Sequence, residues 1–395
     1  MNELPQIILK PGKEKSVLRR HPWIFSGAID LIDENIAEGD IAQIRSSKGV
    51  FLGIGHYQIG SIAVRLFSFD NIEITNDFWH KKFLIAKKLR ETAKISNNSS
   101  SNIFRLINAE GDGLPGLICD FYDNNLVLQA HSIGMHRLLN VFADILVDLF
   151  DKTIKSVYDK SKPSLPYNSK EKSIDGFCYG SSTEIIACEN NLKFKIDIIE
   201  GQKTGFYIDQ RENRNLLSNF CFGKKVLNAF SYSGGFSVYA LKGGASMVHS
   251  VDSSIKAIEL TEENIKINFL PSKNHASYCE DVFKFFDKIN EEYEVLIIDP
   301  PAFSKHLNSL NQAIKGYIRL NTLALGKASK GAVIFTFSCS QVLSLSDFRT
   351  AIYRAAQASG KNIRILYRLS QPADHPVSIY HPEGEYLKGF VLLVD

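Results

Sequence analysis

Residues 295–303 read Val-Leu-Ile-Ile-Asp-Pro-Pro-Ala-Phe, an apolar run that ends at a carboxylate and two prolines. A short, uninterrupted apolar run is typical of a buried parallel strand, here over residues 295–298, with Asp299 directly after it. A second run at residues 332–335 leads to Phe-Ser-Cys-Ser at residues 337–340. Ligands of open α/β sheets bind at the carboxyl ends of the strands, so we expect Asp299 and Cys339 to face one cleft.

Strand-like and helix-like segments alternate around this run, which is typical of a doubly wound parallel sheet in an α/β fold. The predicted strands before it lie at residues 225–228, 247–251 and 276–278, and the predicted helices at 235–241, 255–268, 318–327 and 345–359. Two closing strands, at 362–369 and 388–394, predict a hairpin that sets the last strand antiparallel.

Two blocks precede this region, so we predict three domains. Short alternating strands at residues 41–44, 51–55 and 63–67 predict a small β-barrel in a first domain, residues 1–74. A second domain, residues 75–188, contains a predicted helix at 76–93, strands between 104 and 131 and a helix near 136–150. The α/β domain is then expected over residues 189–395, and the Lys-, Ser- and Pro-rich residues 160–173 predict a loop.

The composition is that of a globular protein without special targeting. The 395 residues are 44% hydrophobic and 23% charged, and the formal net charge of +3 does not by itself indicate a nucleic-acid partner. The 6 cysteines show no metal-ligand spacing, so we expect no metal site and a reducing compartment. Without a signal-peptide pattern or an apolar run of membrane length, we expect a cytoplasmic protein with no membrane partner.

Basic and aromatic residues are interleaved near the N-terminus. Arg19 and Arg20 precede His-Pro-Trp-Ile-Phe at residues 21–25. RNA binding uses cations for phosphates and aromatic rings for unstacked bases, which makes Arg20 and Trp23 candidate RNA contacts. A solvated helix followed by core aromatics explains the same pattern, and both interpretations stay open.

A cofactor cleft is predicted after the strand at residues 225–228. The following segment, Asn-Ala-Phe-Ser-Tyr-Ser-Gly-Gly-Phe at 228–236, lets a ligand approach the backbone but lacks the phosphate-binding glycine spacing. Asp252 after the next strand suits ribose hydroxyls, and Asp281 suits an adenine amino group. This ordered set predicts a methyltransferase that uses S-adenosylmethionine, which has ribose and adenine but no phosphate. The candidate cofactor contacts are Phe230, Ser231, Tyr232, Ser233, Gly234, Gly235, Asp252, Ser253, Asp281, Val282 and Asp299.

The chain resembles the RlmI-type family of rRNA large-subunit cytosine-C5 methyltransferases over nearly its whole length. The resemblance is carried by residues 21–29, 108–117, 201–214 and 230–236 and by the two motifs around Asp299 and Cys339. It implies an N-terminal PUA domain, a small central α/β domain and a C-terminal Rossmann-like class I methyltransferase. It also implies that Asp209, Gln210 and Arg211 lie by the cofactor, and that large-subunit (23S) ribosomal RNA is the partner. The sequence leaves the oligomeric state open, with a homodimer as one alternative.

The two motifs suit methylation of cytosine at carbon 5. We hypothesise that Cys339 adds to carbon 6 while Asp299 hydrogen-bonds the base edge at N3, with Pro300 and Phe303 near the substrate. The alternative for Cys339 is a buried, inert side chain at a strand end. No second cysteine follows the Asp-Pro pair, so the group that removes the C5 proton is unassigned.

Two other functions remain open at this point. Asp-Pro-Pro-aromatic turns also serve methylation of exocyclic amines, although here Ala302 separates the prolines from Phe303. The chain could alternatively be an RNA-binding protein with a degenerate S-adenosylmethionine site. A nicotinamide enzyme is disfavoured because the phosphate-binding glycine spacing is missing.

Overall fold

The computed structural model describes residues 4–95, 97–166, 173–182, 184–269, 274–290, 292–304 and 307–395. The chain divides into two compact units: unit 1 is Met1–Cys188, Ile196–Phe206 and Ala373–Gly384, and unit 2 is Glu189–Lys195, Tyr207–Pro372 and Glu385–Asp395. The division into three domains therefore stays a prediction. Part of the predicted loop at 160–173, residues 167–172, lies outside the described residues.

The first sheet of unit 1 is built from short strands and forms a small core of its own. The strands are β1 (Gln6–Leu9), β2 (Trp23–Phe25), β3 (Ile29–Ile32), β4 (Ile41–Arg45), β5 (Phe51–Tyr57) and β6 (Ile62–Ser68), with helix α1 (Lys15–Leu18) after β1. Their order is β2-β6-β5-β4-β1-β3, and β1 pairs parallel with β4. The strands predicted at 41–44, 51–55 and 63–67 are confirmed and are slightly longer than predicted.

A second sheet of unit 1 packs against two helices. Its order is β11-β10-β9-β8-β7. The elements are α2 (Asn76–Thr92), β7 (Ile103–Asn108), β8 (Leu117–Tyr122), β9 (Asn125–Ala130), α3 (Ile133–Arg137), α4 (Leu139–Leu149), β10 (Ser156–Asp159) and β11 (Gly176–Gly180). The helix predicted near 136–150 is thus two helices, because the chain breaks at Leu138.

Arg90 at the end of α2 explains why the distant residues 373–384 belong to unit 1. Its guanidinium is 1% exposed and donates to Asp112 Oδ2 at 2.8 Å and to the Asp374 carbonyl at 2.8 Å. Asp374 Oδ2 in turn accepts from the backbone N–H of Arg105 at 3.0 Å. A buried charge needs partners of this kind, so the segment is tied to unit 1 by polar contacts that local sequence cannot specify.

Unit 2 is a doubly wound α/β domain. Its elements include α5 (Arg211–Ser218), β14 (Lys225–Ala229), α6 (Gly235–Lys242), β15 (Met247–Asp252), α7 (Ile255–Asn268), β16 (His275–Cys279), α8 (Val282–Lys288), β17 (Tyr293–Ile298), α9 (Leu310–Gly326), β18 (Ala328–Ser338), α10 (Leu345–Ser359), β19 (Ile363–Leu369) and β20 (Lys388–Val394). Strands β12 (Ile185–Glu189) and β13 (Leu192–Ile196) lie where the chain passes from the first unit to the second.

The sheet of unit 2 has 7 strands in the order β16-β15-β14-β17-β18-β20-β19. Pairings from β16 through β18 are parallel, and β20 is antiparallel to both β18 and β19, which confirms the predicted orientation of the last strand. The order reverses beside β14, and such a switch point opens a crevice at the carboxyl ends of β14 and β17.

Strand β17 is buried on both faces, as its apolar run predicts. Leu296 and Ile298 pack in one core cluster with residues of α9 and α10, whereas Val295 and Ile297 pack in a second cluster. All four side chains are at most 1% exposed. A strand covered by helices on both sides has no polar face, so the run needs no alternation.

The helix predictions of unit 2 are confirmed with one large difference in length. Helix α10 has the predicted bounds because Ser344 and Asp347 form a capping box and Gly360 ends it with φ 65°. The helix predicted at 318–327 begins earlier, at Leu310. Within the described residues, no helix has both the length and the apolar character that crossing a membrane requires.

Candidate active site

The loop between β14 and α6 has an unusual backbone. Phe230, Tyr232 and Gly234 have φ values of 61°, 45° and 73°, so two of its three left-handed positions are not glycine. Such strain persists only when surrounding contacts hold it, and it concentrates at binding sites. Helix α7 provides these contacts: Thr261 Oγ1 donates to the Tyr232 carbonyl at 2.7 Å, and Asn264 Nδ2 donates to the Ser233 carbonyl at 2.8 Å.

Asp252 ends β15 beside this loop. Its Oδ2 accepts the backbone N–H of Tyr232 at 3.0 Å, and its Oδ1 accepts the backbone N–H of Ser254 at 2.9 Å. An ionised carboxylate has about four acceptor sites, so both oxygens keep capacity for further hydroxyl donors. The geometry is compatible with the predicted ribose contact.

The residues of the loop fit S-adenosylmethionine in a further respect. Ser231 is 6% exposed, and its hydroxyl makes no hydrogen bond to any residue of the described chain. A buried hydroxyl without a partner is costly unless a ligand satisfies it. Gly235, the first residue of α6, has its Cα close to Arg214, where an added Cβ would lie 3.1 Å from Cδ. The Ser231 hydroxyl is therefore a polar group that the loop leaves for a cofactor, whereas Arg214 occupies the space beside Gly235.

The predicted adenine contacts lie at the carboxyl end of β16. Asp281 is exposed and its Oδ1 caps α8 by accepting the backbone N–H of Lys284 at 3.1 Å. Val282 is buried as the first residue of that helix, and Ser253 is exposed beside Asp252. Capping uses one oxygen of Asp281, so its role toward adenine stays a prediction.

The segment before α5 reaches the end of β17. Gln210 Nε2 donates to Asp299 Oδ2 at 2.9 Å, and Asn213 Nδ2 donates to Gln210 Oε1 at 2.6 Å. Asp209 Oδ2 accepts the hydroxyl of Tyr386 at 2.7 Å, and Arg211 is buried at the start of α5. The structure thus brings Asp209 and Gln210 to the same end of the sheet as Asp299.

Asp299 and Cys339 lie at the ends of neighbouring parallel strands. The register of β17 and β18 pairs Ile298 with Thr336, so both strands end at the same edge. Cys339 Sγ lies 4.0 Å from the Pro300 carbonyl oxygen, and the cysteine is half-buried. The thiol is therefore beside the Asp-Pro-Pro turn and is not sealed in the core, as the prediction of one shared cleft requires.

Tyr207 and Tyr317 each interact electrostatically with both Asp299 and Cys339. Burial raises the pKa of Tyr207, and electrostatic interactions with Asp299 and Cys339 raise it further. Burial also raises the pKa of Tyr317, with smaller contributions from the same two groups. Both phenols are therefore neutral at physiological pH and face the carboxylate and the thiol together.

Three other cysteines, Cys119 and Cys221 in the core and the half-buried Cys178, are unsuited to nucleophilic chemistry. Burial raises the pKa of Cys221 to about 12 and that of Cys178 to about 11. Burial also raises the pKa of Cys119. The thiolate is the reactive form, so these sites favour the inert thiol.

Pro300 and Phe303, the predicted substrate contacts, are both held by the protein. Pro300 is buried, whereas Pro301 is exposed. The ring of Phe303 packs on Tyr317 with centroids 4.7 Å apart, and Gly316 leaves the space for it. Phe303 thus supports the turn from the side of α9, and its contact with a substrate stays a prediction.

The predicted RNA contacts Arg20 and Trp23 belong to unit 1. Arg20 is exposed with its guanidinium 5.6 Å from the centre of the Phe69 ring. Trp23 is half-buried, and its indole N–H donates to Glu110 Oε1 at 2.8 Å. Its ring packs on the His381 ring, with the two centroids 4.3 Å apart. These contacts give Trp23 a packing role, and an RNA contact of either residue stays a prediction.

Sequence reasoning missed three polar residues of the site: Asn213, Tyr386 and Lys388. The first two bind Gln210 and Asp209, as described above. Lys388 heads the otherwise apolar run Lys-Gly-Phe-Val-Leu-Leu-Val of β20, and a lysine at the start of such a strand was the available signal. Across the described ranges, no group of three His, Cys, Asp or Glu side chains has the arrangement of a metal site.

Two family models match the chain. A PUA-like domain matches residues 7–69, and an S-adenosylmethionine-dependent methyltransferase domain matches residues 170–356. These matches confirm the predicted PUA-type domain at the N-terminus and the methyltransferase fold of the C-terminal region. They also confirm S-adenosylmethionine as the cofactor.

Named relatives are similar over nearly the whole chain. The chain is 37% identical over 393 residues to ribosomal RNA large subunit methyltransferase I of Aeromonas salmonicida, with 98% of each chain covered. It is 38% identical over 394 residues to the protein of the same name from Aeromonas hydrophila, again with 98% of each covered. For Vibrio vulnificus the identity is 37% over 396 residues, covering 98% of this chain and 99% of the relative.

Solved structures share the fold at lower identity. A protein from Streptococcus mutans described as a SAM-dependent methyltransferase superposes with a TM-score of 0.84 at 24% identity, covering 98% of this chain and 100% of that one. SMU.776, whose crystal structure is a complex with SAH, superposes with a TM-score of 0.85 at 23% identity and the same coverage. These two likenesses establish the fold.

Proposed function

Because the chain belongs to the family of ribosomal RNA large subunit methyltransferase I, we propose that it methylates carbon 5 of a cytosine in large-subunit ribosomal RNA. The observation that carries the proposal is the position of Cys339 beside the Asp299-Pro300-Pro301 turn. A half-buried thiol and a carboxylate at one sheet edge provide a nucleophile and a hydrogen-bonding group for a planar base.

Cytosine needs activation before carbon 5 can be methylated. Addition of the Cys339 thiolate to carbon 6 forms an Sγ–C6 bond and moves the electron pair of the C5–C6 double bond onto carbon 5. A proton held between Asp299 and N3 of the base lets the ring accept these electrons. Once carbon 5 carries the methyl group, its proton leaves to solvent, the electron pair of the C–H bond restores the C5–C6 double bond, and the Sγ–C6 bond breaks to release the thiolate.

The protein's own residues prepare the two reacting groups. Gln210 orients the Asp299 carboxylate, and the neutral phenols of Tyr207 and Tyr317 border the thiol. The buried Pro300 fixes the carbonyl against which Cys339 lies. A site held by packed residues loses less entropy at the moment of reaction, which supports a role for this turn beyond a simple loop.

The cofactor site fits S-adenosylmethionine through the residues described above. Asp252 and the 230–235 loop would hold it, with Asp209, Gln210 and Arg211 nearby, and Asp281 and Val282 at its adenine end. When bound, it supplies an electrophilic methyl group to the activated carbon 5. Arg20 would contact RNA phosphate from the PUA-like domain.

A covalent trap tests the mechanism directly. Incubating the full chain with S-adenosylmethionine and ribosomal RNA that contains 5-fluorocytidine should leave a protein–RNA adduct, because fluorine at carbon 5 blocks the elimination step. Cys339→Ala should abolish both the adduct and 5-methylcytidine in unmodified RNA. Cys279→Ala, which removes the exposed cysteine at the end of β16, is the matched control and should retain both.

The same assay separates the alternatives. Retained turnover of Cys339→Ala with N4-methylcytidine as product would indicate an exocyclic-amine methyltransferase and overturn the proposal. An absence of S-adenosylmethionine binding by calorimetry would indicate an RNA-binding protein with a degenerate site. Mass mapping of the RNA product identifies the modified nucleotide.

A further inference from the structure

Lys388 is a buried cation at the first position of β20. Lys388 is 7% exposed, and its ammonium donates to the carbonyl oxygens of Ser340 and Tyr386, each at 3.0 Å. Both acceptors are neutral. Among the described residues, no carboxylate forms an ion pair with this ammonium, and Glu385 acts on it only as a more distant charge.

A buried ammonium with neutral partners reduces stability. Burial lowers the pKa of Lys388, while Glu385 and Cys339 oppose this shift. Replacing a buried charge by an apolar side chain of similar volume is often neutral or stabilising. Packing alone therefore does not explain a lysine at this position. A functional explanation requires a neighbouring group that the positive charge of Lys388 stabilises.

The sheet register places the ammonium beside Cys339. In the antiparallel pair of β18 and β20, Lys388 lies opposite Ser338, the residue before Cys339. The hydrogen bond to the Ser340 carbonyl anchors the ammonium on the other side of the cysteine. The backbone of Lys388 thus lies opposite the residue before Cys339 and its ammonium binds the residue after it, so the positive charge acts on the sulfur.

We propose that Lys388 is a positioning residue that holds Cys339 as the thiolate before RNA binds. The thiolate supplies the negative charge that the buried ammonium lacks in the protein. The proton leaves to solvent when the thiolate forms, and no other reactant is needed. The inference rests on the proposed function, in which Cys339 is the nucleophile.

The other groups around Cys339 make this charge necessary. The phenols of Tyr207 and of Tyr317 on α9 are neutral, and the Asp299 carboxylate at the end of β17 repels a thiolate. Pro300 contributes a carbonyl oxygen, which also disfavours negative charge on sulfur. A cation near a cysteine lowers the thiol pKa, and Lys388 on β20 opposes the effect of these neighbours.

The test measures the thiol without turnover or RNA. In the full-length protein, the rate of Cys339 alkylation by iodoacetamide is followed against pH, with peptide mass spectrometry separating Cys339 from the other cysteines. We expect a midpoint below about 8.5, the ordinary cysteine value, in the unaltered protein. Lys388→Met should raise the midpoint by about one pH unit or more, which slows alkylation near neutral pH about tenfold.

Lys361→Met is the matched control. Lys361 also donates to a backbone carbonyl, that of Ala328 at 3.3 Å, but Ala328 begins β18 whereas Cys339 follows its end. Its replacement should leave the midpoint unchanged. Thermal unfolding and calorimetric binding of S-adenosylhomocysteine should show that both variants are folded, with Lys388→Met at least as stable as the unaltered protein.

An unchanged midpoint in folded Lys388→Met would overturn the inference. Should that variant fail to fold, a midpoint at or above about 8.5 in the unaltered protein would overturn it equally. The proposed function fails in a different assay, since it requires Cys339→Ala to lose methylation. If Lys388→Met shifts the alkylation profile and Cys339→Ala is still active, Lys388 stabilises the thiolate but the covalent mechanism is wrong.

Discussion

Gln210 donates its amide N–H to Asp299 Oδ2 over 2.9 Å, across 89 residues of sequence. The direction of this hydrogen bond is set by Asn213, which donates to Gln210 Oε1 at 2.6 Å and leaves Nε2 for the carboxylate. The carboxylate is therefore oriented by an amide that is itself held in place. Such a chain of donors allows Asp299 to keep one geometry before a base arrives.

Gln210→Leu should slow turnover with a smaller effect on RNA affinity. Removing the donor leaves a partly buried carboxylate without one of its partners, at a cost of about 1–3 kcal/mol, which corresponds to about 5- to 150-fold in kcat if it falls on the transition state. Single-turnover methylation kinetics measure the effect. Asn215→Leu, an exposed change on the same helix α5, should keep the unaltered rate. Equal rates for the two variants would remove Gln210 from the positioning of Asp299.

Gly234→Ala should weaken cofactor binding. At φ 73° an alanine costs about 1–2 kcal/mol, and its Cβ would lie 2.7 Å from Thr261 Cγ2, so the loop must shift. We expect calorimetry to show a Kd for S-adenosylhomocysteine raised about tenfold. Gly223→Ala shares the left-handed backbone, with φ 70° and no atom within 4 Å of the added Cβ. Gly223→Ala should reduce stability but leave the affinity for S-adenosylhomocysteine unchanged. A similar loss of affinity in both variants would contradict the prediction.

Arg20→Glu should reduce RNA affinity, and the reduction should be larger at low salt. Arg20 is exposed and lines a cavity of about 380 Å³ in unit 1 together with Lys82 and Tyr380. Loss of one phosphate contact lowers the salt dependence of binding by about one unit of slope. Fluorescence titration over a salt series measures this. Lys48→Glu makes the same charge change at another exposed site of the same sheet region, and an equal effect would indicate nonspecific attraction.

Acidification should destabilise unit 1 through His56. Burial, with smaller effects from Arg137 and Arg65, lowers the pKa of His56 to about 3. The unfolded chain then binds more protons than the folded one below about pH 6.5, so stability falls as the pH drops. The expected loss is about 2 kcal/mol at about pH 5. Burial lowers the pKa of His131 to about 4, which acts in the same direction.

His56→Leu should make unfolding less pH-dependent. Urea denaturation at several pH values between about 8 and 5 should show a smaller slope for the variant. Burial also lowers the pKa of His131, His275 and His381, and these histidines account for pH dependence that remains. An unaltered slope would mean that His56 is not neutral in the folded protein.

The sequence alone was sufficient for the elements that depend on local pattern. The run at residues 295–298 predicts a strand buried on both faces, and Leu296 and Val295 indeed pack into different core clusters. Asp299 and Cys339 follow such strands directly, so their common edge followed from the parallel register. The start of the helix at Leu310 was missed although Ser309 precedes it, and in the structure this serine makes no side-chain cap hydrogen bond.

Tertiary structure alone decided how these groups are held. Tyr386 binds Asp209 across 177 residues, and Lys388 binds the Ser340 carbonyl across 48. Apolar periodicity reports which face of an element is buried, but it carries no information on which polar side chain meets which. Those pairings depend on the register of β18 with β20 and on the packing of α5 against the sheet, which many distant contacts determine together.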